Sequence, residues 1–382
     1  MFRIINIFLL AIVYQLPLIA EARDAINSSQ YLTYKEFSNL YRHKQFSSKK
    51  FSSAVRSKSK TYQGNLNKPI KVAIIYPGKQ ASDYWQRSVS SFEARLAESK
   101  VPYEIYTYFT KPGAEVRLQS KQISNALKRD PDYLIFTLDA LKHRAIIERL
   151  MGRDRPKLIL QNITTPLGRW GETQPFMYVG FDHATGTELL VDEYLKKFNK
   201  QGRYAIFYGT KGYVSKMRGG TFKSLMLKEP NMELIAEYYT GFNRNRAYKA
   251  AKQLLAKTSD LDFIFSCSTD IALGVLDAIR EQKPKSNVIT NGWGGGSKEL
   301  EVLQKGELDL TVMRMNDDNG VAMAEAILWQ LDGKSVPTIY SGDMVLVKRD
   351  TNMEDLDSYA KRAFRYSNRL KSDINSVLRS AK

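Results

Sequence analysis

Residues 68–87 read KPIKVAIIYPGKQASDYWQR, and the order of residue types in them decides the fold. Val72–Tyr76 is a short apolar run rich in β-branched residues, and Pro77-Gly78 stops it. Such a run, closed by turn residues, predicts a strand buried on both faces, as in a parallel sheet. Residues 79–83 are polar, and from Tyr84-Trp85 to Leu96 the apolar spacing is helical. Strand, polar loop and helix form the repeating unit of an open α/β sheet, whose ligands sit past the carboxyl ends of the strands. The loop at 79–83 is therefore expected to overhang a crevice.

The same rhythm continues downstream. Apolar runs recur at Tyr103–Phe109, Tyr133–Leu138, Leu158–Leu160, Met177–Phe181 and Tyr204–Tyr208, then at Leu234–Tyr239, Phe263–Cys267, Val288–Thr290 and Leu310–Met313. Helical patterns lie between most of them, at 115–127, 184–198, 245–257, 270–280 and 320–331. This alternation predicts crossover units and parallel sheets. About ten strands are too many for one comfortable twisted sheet, so two lobes are expected. A chain of 382 residues with 43% hydrophobic content is long enough to core both.

The ends differ from this body. Arg3, then the apolar run Ile4–Ile19 broken by Gln15 and Pro17, then Ala20-Glu21-Ala22, predicts a cleaved secretory leader over residues 1–22; an uncleaved anchor is the alternative. Residues 23–68 form a basic extension, read as a short amphipathic helix near 29–41 followed by a Ser/Lys-rich flexible link. The net charge of +18 is concentrated at the two ends, with ten Lys/Arg against Asp24 and Glu36 over residues 23–69 and seven against Asp373 over 360–382. Basic ends suit nucleic acid, anionic headgroups or an acidic partner, and export argues against nucleic acid. The lone cysteine, Cys267, excludes an intrachain disulfide and a cysteine metal site.

No catalytic constellation is present. His43, His143 and His183 are scattered, and there is no HExxH, GxSxG or phosphate-binding loop. The turn Gly292-Trp293-Gly294-Gly295-Gly296 begins like GxGxxG, but Ser297 occupies the last glycine position. A binding protein is expected rather than an enzyme, with no metal.

The polar residues at strand ends carry the functional reading. They are Gln80, Ser82 and Trp85 on the first loop, Asn162, Arg218, Thr269 and Asp270 after Cys267, Trp293 and Arg314. Amides and hydroxyls grip a hydroxyl-rich ligand, and indoles cover its apolar faces. Two arginines among few acids favour an anionic ligand. Plainer readings stand beside these: core packing for the tryptophans, ion pairs for the arginines, an N-cap for Asp270 and a turn for Asn162.

Several long stretches also resemble a known family. Tyr76-Pro77-Gly78 with Ser82-Asp83-Tyr84-Trp85, then residues 161–166, 267–274, 291–297 and 312–318, and Arg362-Ala363-Phe364-Arg365-Tyr366-Ser367 are similar to the LuxP-type autoinducer-2 receptors. These belong to the type I, ribose-binding-like periplasmic binding proteins. The resemblance spans about residues 69–368. It implies two Rossmann-like α/β lobes joined by a three-segment hinge: 69–181 with 315–342, and 182–314 with 343–368, followed by a basic tail at 369–382. It implies a periplasmic receptor for autoinducer-2 as a furanosyl borate diester. Gln80, Ser82, Trp85, Asn162, Arg218, Thr269, Trp293 and Arg314 would contact the ligand, with Asp270 as a further position. It implies no cofactor, the boron belonging to the ligand, and a partner in the periplasmic domain of a LuxQ-like hybrid sensor kinase. Two other functions are weighed against it. One is a ribose- or galactose-type receptor feeding a transporter. The other is a ligand-responsive transcription regulator, which would need a helix-turn-helix where residues 1–67 offer none.

Overall fold

The computed structural model describes residues 31–137, 141–284 and 287–369. The leader, and all but the first residue of the basic tail, lie outside that range. Among the described residues the strands are β1 (Ile70–Tyr76), β2 (Tyr103–Phe109), β3 (Tyr133–Phe136), β4 (Lys157–Gln161), β5 (Met177–Gly180), β6 (Gly202–Tyr208), β7 (Met232–Tyr239), β8 (Phe263–Ser266), β9 (Ile289–Gly294), β10 (Leu310–Arg314), β11 (Ile339–Ser341) and β12 (Met344–Lys348). They form two six-stranded sheets, ordered β11-β5-β4-β3-β1-β2 and β12-β10-β9-β8-β6-β7. Every pairing is parallel except β10 with β12. Two α/β lobes with mostly parallel sheets are thus the architecture.

The central strands are buried on both faces because helices cover both. Val72, Ile74 and Tyr76 of β1 face one cluster with Phe92 and Ile327, while Ala73 and Ile75 face another with Ile123 and Leu160. Helix Tyr84–Glu98 packs closely on helix Asp317–Leu331. Gly320 permits this, since a Cβ there would stand 2.1 Å from Ser91 Oγ and 2.3 Å from the Ser88 carbonyl.

The chain passes between lobes three times: after β5, between β10 and helix Asp317–Leu331, and between β11 and β12. The passages are tied together, with Gly342 N–H donating to the Gly180 carbonyl at 2.8 Å and Met315 N–H to the Asp343 carbonyl at 3.0 Å. Strands β11 and β12 escape the sequence pattern because each is short and Gly342-Asp343 interrupts their apolar run.

The basic extension departs most from its sequence reading. Helix Tyr34–Leu40 is shorter than expected and starts with a Thr33–Glu36 capping box. The supposed flexible link is instead folded, as a short 3-10 turn at Arg42–Gln45 and helix Ser48–Arg56. Phe51 and Val55, four residues apart, are fully buried, and Phe51 meets Trp329 edge-on at 5.1 Å. The surrounding serines and lysines hide this two-residue apolar stripe from any compositional reading. Arg95 also clamps the helix end, donating to the Ala54 and Ser57 carbonyls at 2.9 and 2.8 Å.

Candidate functional site

The carboxyl ends of the strands in both lobes face one another across a small cavity of about 50 Å³. Gln80, Ser82 and Trp85 line it from the β1 loop, and Asn162 from the end of β4. Arg218, Thr269, Trp293 and Arg314 line it from the other lobe. Asp270 does not line the cavity. Its carboxylate instead accepts from the N–H groups of Ala81 at 2.9 Å and Ser82 at 3.3 Å, across the gap between the lobes. Nor is it the helix N-cap, because Ser268 precedes helix Thr269–Gln282. Asp270 is therefore a latch, and it holds the loop that carries Gln80 and Ser82. A second interlobe tie sits beside it: Asp83 accepts from Ser297 N–H at 3.3 Å, and Arg87 donates to Ser297 Oγ at 2.8 Å.

Local backbone explains how each side chain arrives. Asn162 adopts φ +67°, a left-handed conformation that asparagine tolerates better than most residues. Arg218 lies in a π turn, Lys216–Gly220, inside the helical stretch that starts at Tyr213. Gly294 stands at φ +147°, and a Cβ there would lie 2.5 Å from Arg314 Nη2. Glycine is thus needed both for the backbone and to let the guanidinium lie flat against it. Trp293 is the fifth residue of β9, longer than its apolar run predicts, and Glu299 accepts from its N–H at 3.1 Å.

The electrostatics set this cavity apart. Arg218 and Arg314 are each only 4% exposed, yet neither forms an ion pair with an acid among the described residues. Arg218 Nη1 donates to the Cys267 carbonyl at 2.7 Å, and its Nε to His183 Nδ1 at 3.2 Å. Its guanidinium lies 3.6 Å over the Trp293 ring. Arg314 stacks 4.0 Å over Tyr84, and its Nε is buried with no hydrogen-bond partner among the described residues. Burial, and then the charge of Arg314, push Arg218 down to about 9. Burial also lowers Arg314. Glu299 and Asp83 act on them only through space, forming neither an ion pair nor a hydrogen bond with either guanidinium. Two like charges are thus removed from water with weak compensation, which is costly and makes the cavity electropositive. Asn162 Oδ1 and Ser268 Oγ are likewise buried without partners, which gives the same cavity neutral polar groups to offer.

Three further site residues escape the sequence reading. His183 looks scattered in the sequence, but it follows the first lobe passage and is fully buried. Its Nε2 lies 3.1 Å from the Asn162 carbonyl, which can only accept, so Nδ1 is the unprotonated nitrogen that receives Arg218. Burial first, then Arg218, hold it well below its ordinary range and therefore neutral. Tyr84 carries Arg314 on its ring, and its hydroxyl accepts from Asn319 at 2.6 Å. Ser268 lines the cavity beside Thr269. Only Tyr84 had a sequence signal, as the neighbour of Trp85. No group of His, Cys, Asp or Glu among the described residues could hold a metal ion.

Two lobes joined by three chain passages over an interlobe cavity are the architecture of a solute-binding protein. Residues 72–335 match the periplasmic binding protein domain family, and the chain belongs to it. That family comprises extracytoplasmic substrate-binding proteins rather than enzymes. The ribose import binding protein RbsB of Salmonella typhimurium is 23% identical over 171 residues, covering 44% of this chain and 57% of that protein. RbsB of Bacillus subtilis is 23% identical over 169 residues, covering 44% and 54%. The chain thus spans a little over half the length of these relatives. Among solved structures, a Bacillus halodurans transporter solute-binding protein with bound myo-inositol superposes with TM-score 0.66 at 18% identity, covering 78% of this chain and all of that one. The fructose-binding periplasmic domain of a hybrid two-component system superposes with TM-score 0.67 at 16% identity, covering 81% and 98%. At such identities these likenesses bear on the fold alone. No helix among the described residues is long and apolar enough to cross a membrane.

Proposed function

We propose that this chain is a periplasmic receptor of the LuxP type, which closes its lobes over autoinducer-2 as the furanosyl borate diester. Closure would then signal to the periplasmic domain of a LuxQ-like hybrid sensor kinase. The observation that carries this reading is the pair of buried guanidiniums facing one cavity, neither of them in an ion pair among the described residues. A tetrahedral borate supplies a negative charge, and the ring hydroxyls suit Gln80, Ser82, Asn162 and Thr269. Asp270 acts on the closed state rather than on the ligand, since it bonds the opposing loop. A ligand shifts lobe closure only by binding the closed form better, and here closing brings Gln80, Ser82 and Asn162 of one lobe up to the two arginines of the other. The fructose-binding domain of a hybrid two-component system has this fold, so the fold serves signalling as well as transport.

A neutral-sugar receptor feeding a transporter is the second reading, favoured by the sugar-binding names of the relatives. Calorimetry separates the two. Titrating the furanone precursor with and without borate, and ribose in parallel, is expected to give tight binding only with borate. Tight ribose binding that is indifferent to Arg314→Ala would overturn the anion reading. Elemental boron and mass analysis of the molecule that co-purifies gives an independent check.

A further inference from the structure

The folded extension carries a surface that ligand binding does not use. Between Glu36 and Asp83 the sequence contains no acidic residue. Within that stretch Phe46 is 89% exposed, and Leu40 nearby is 37% exposed. Phe46 is flanked in the sequence by Arg42, Lys44, Lys49 and Lys50, none of them buried and none in an ion pair among the described residues. The segment is held rigidly behind this surface. Ser47 Oγ donates to the Ser335 carbonyl at 2.8 Å, the Lys44 carbonyl accepts from Thr338 N–H at 3.0 Å, and Phe51 is fully buried.

Its position follows from the sheet. Residues 335–338 lead into the amino end of β11, and every ligand-facing residue lies at the carboxyl ends of the strands. The patch is therefore at the pole of its lobe opposite the cleft, and occupying it leaves the cleft free.

We infer that this pole rests on an anionic phospholipid surface. The charges are mostly lysines, compact point charges on flexible stems rather than the flat forks that match single carboxylates. Such clusters are attracted to a layer of anionic headgroups. A projecting phenyl ring suits insertion at the boundary between headgroups and acyl chains. An acidic protein would meet the lysines but would also have to supply a pocket for the ring, which a fluid headgroup layer does not need. The family is extracytoplasmic, so the surface met would be the outer face of the inner membrane. This would hold a diffusing receptor close to the membrane where its partner resides.

Co-sedimentation of the mature chain with vesicles tests the idea. Binding is expected to phosphatidylcholine vesicles containing phosphatidylglycerol, and not to phosphatidylcholine alone. Lys49→Glu with Lys50→Glu should weaken binding by about tenfold or more, and Phe46→Ser by about fivefold. Phe46 and both lysines are exposed, so the variants should keep the parent's melting temperature and ligand affinity. Equal binding to both vesicle types, or no binding, would overturn the inference. So would retention on a polyglutamate column as strong as on vesicles with Phe46→Ser changing neither, an outcome that would assign the patch to an acidic protein. Ligand calorimetry on the same samples keeps this result separate from the fate of the autoinducer reading.

Discussion

Arg95 and Arg314 are both removed from solvent, at 1% and 4% exposure, but their surroundings are opposite. Arg95 sits in the N-terminal lobe with Glu325 at 2.7 Å, the Tyr366 hydroxyl at 2.9 Å and two backbone carbonyls. Burial pulls its pKa down, but Glu325 and Tyr366 outweigh that and leave it raised. Arg314 has an aromatic ring, a glycine and a cavity, and burial outweighs the raising effect of Tyr84, Glu299 and Asp83, leaving it lowered. A buried charge with every donor used is part of the framework. One that lines a cavity and leaves a donor unused is a candidate for ligand binding. The difference lies in the neighbours, not in residue type or depth.

The largest expected effect tests the framework side of this contrast. Arg95→Ala strands Glu325 in the interior and should cost about 3–5 kcal/mol of stability, read from urea denaturation, while ligand affinity stays within about twofold. Arg314→Ala should do the reverse. Affinity for the borate-loaded ligand should fall roughly tenfold to a hundredfold, from about 1.5–3 kcal/mol of charged contact, and ligand-free stability should hold or rise. If Arg314→Ala unfolded the protein as Arg95→Ala does, the two arginines would belong to one class after all.

Smaller effects sharpen the same distinction. Asp270→Asn weakens the latch on Ala81 and Ser82, and should cost about 1 kcal/mol of ligand affinity, expressed as faster dissociation. His183→Ala should cost a similar amount by freeing Arg218 to tilt. Combined with Arg218→Ala it should add nothing, a coupling that a merely structural histidine would not show. The smallest effect is in pH. His183 is depressed well below 6.5 in the folded state. Its contribution to stability is therefore complete above about pH 6.5 and is lost as pH falls below that value. Thermal melts should drop less steeply between about pH 7 and pH 5 in His183→Gln than in the parent. Ligand affinity should stay flat from about pH 8 to pH 6, because the neutral ring continues to accept from Arg218.

The fold was legible because each central strand is an apolar run with a polar stop, a local property of consecutive residues. The cavity positions were legible for the same reason: Gln80, Asn162, Thr269 and Arg314 follow directly on such runs. Trp293 was legible as a type, although its strand continues through it. His183 and the latch role of Asp270 were not legible. Each depends on a partner from a distant segment, Arg218 in one case and the Ala81-Ser82 amides in the other. The folded extension was missed because two buried side chains, Phe51 and Val55, decide it against a background of serine and lysine.

Alone, the sequence determined two parallel α/β sheets, their approximate strands, and the polar residues delivered to their carboxyl ends. Those follow from hydrophobic periodicity, which is local. Only the tertiary structure decided which buried charge is ion-paired and which lines the cavity between the lobes. Pairing is a property of distance in three dimensions, and no spacing along the chain encodes it.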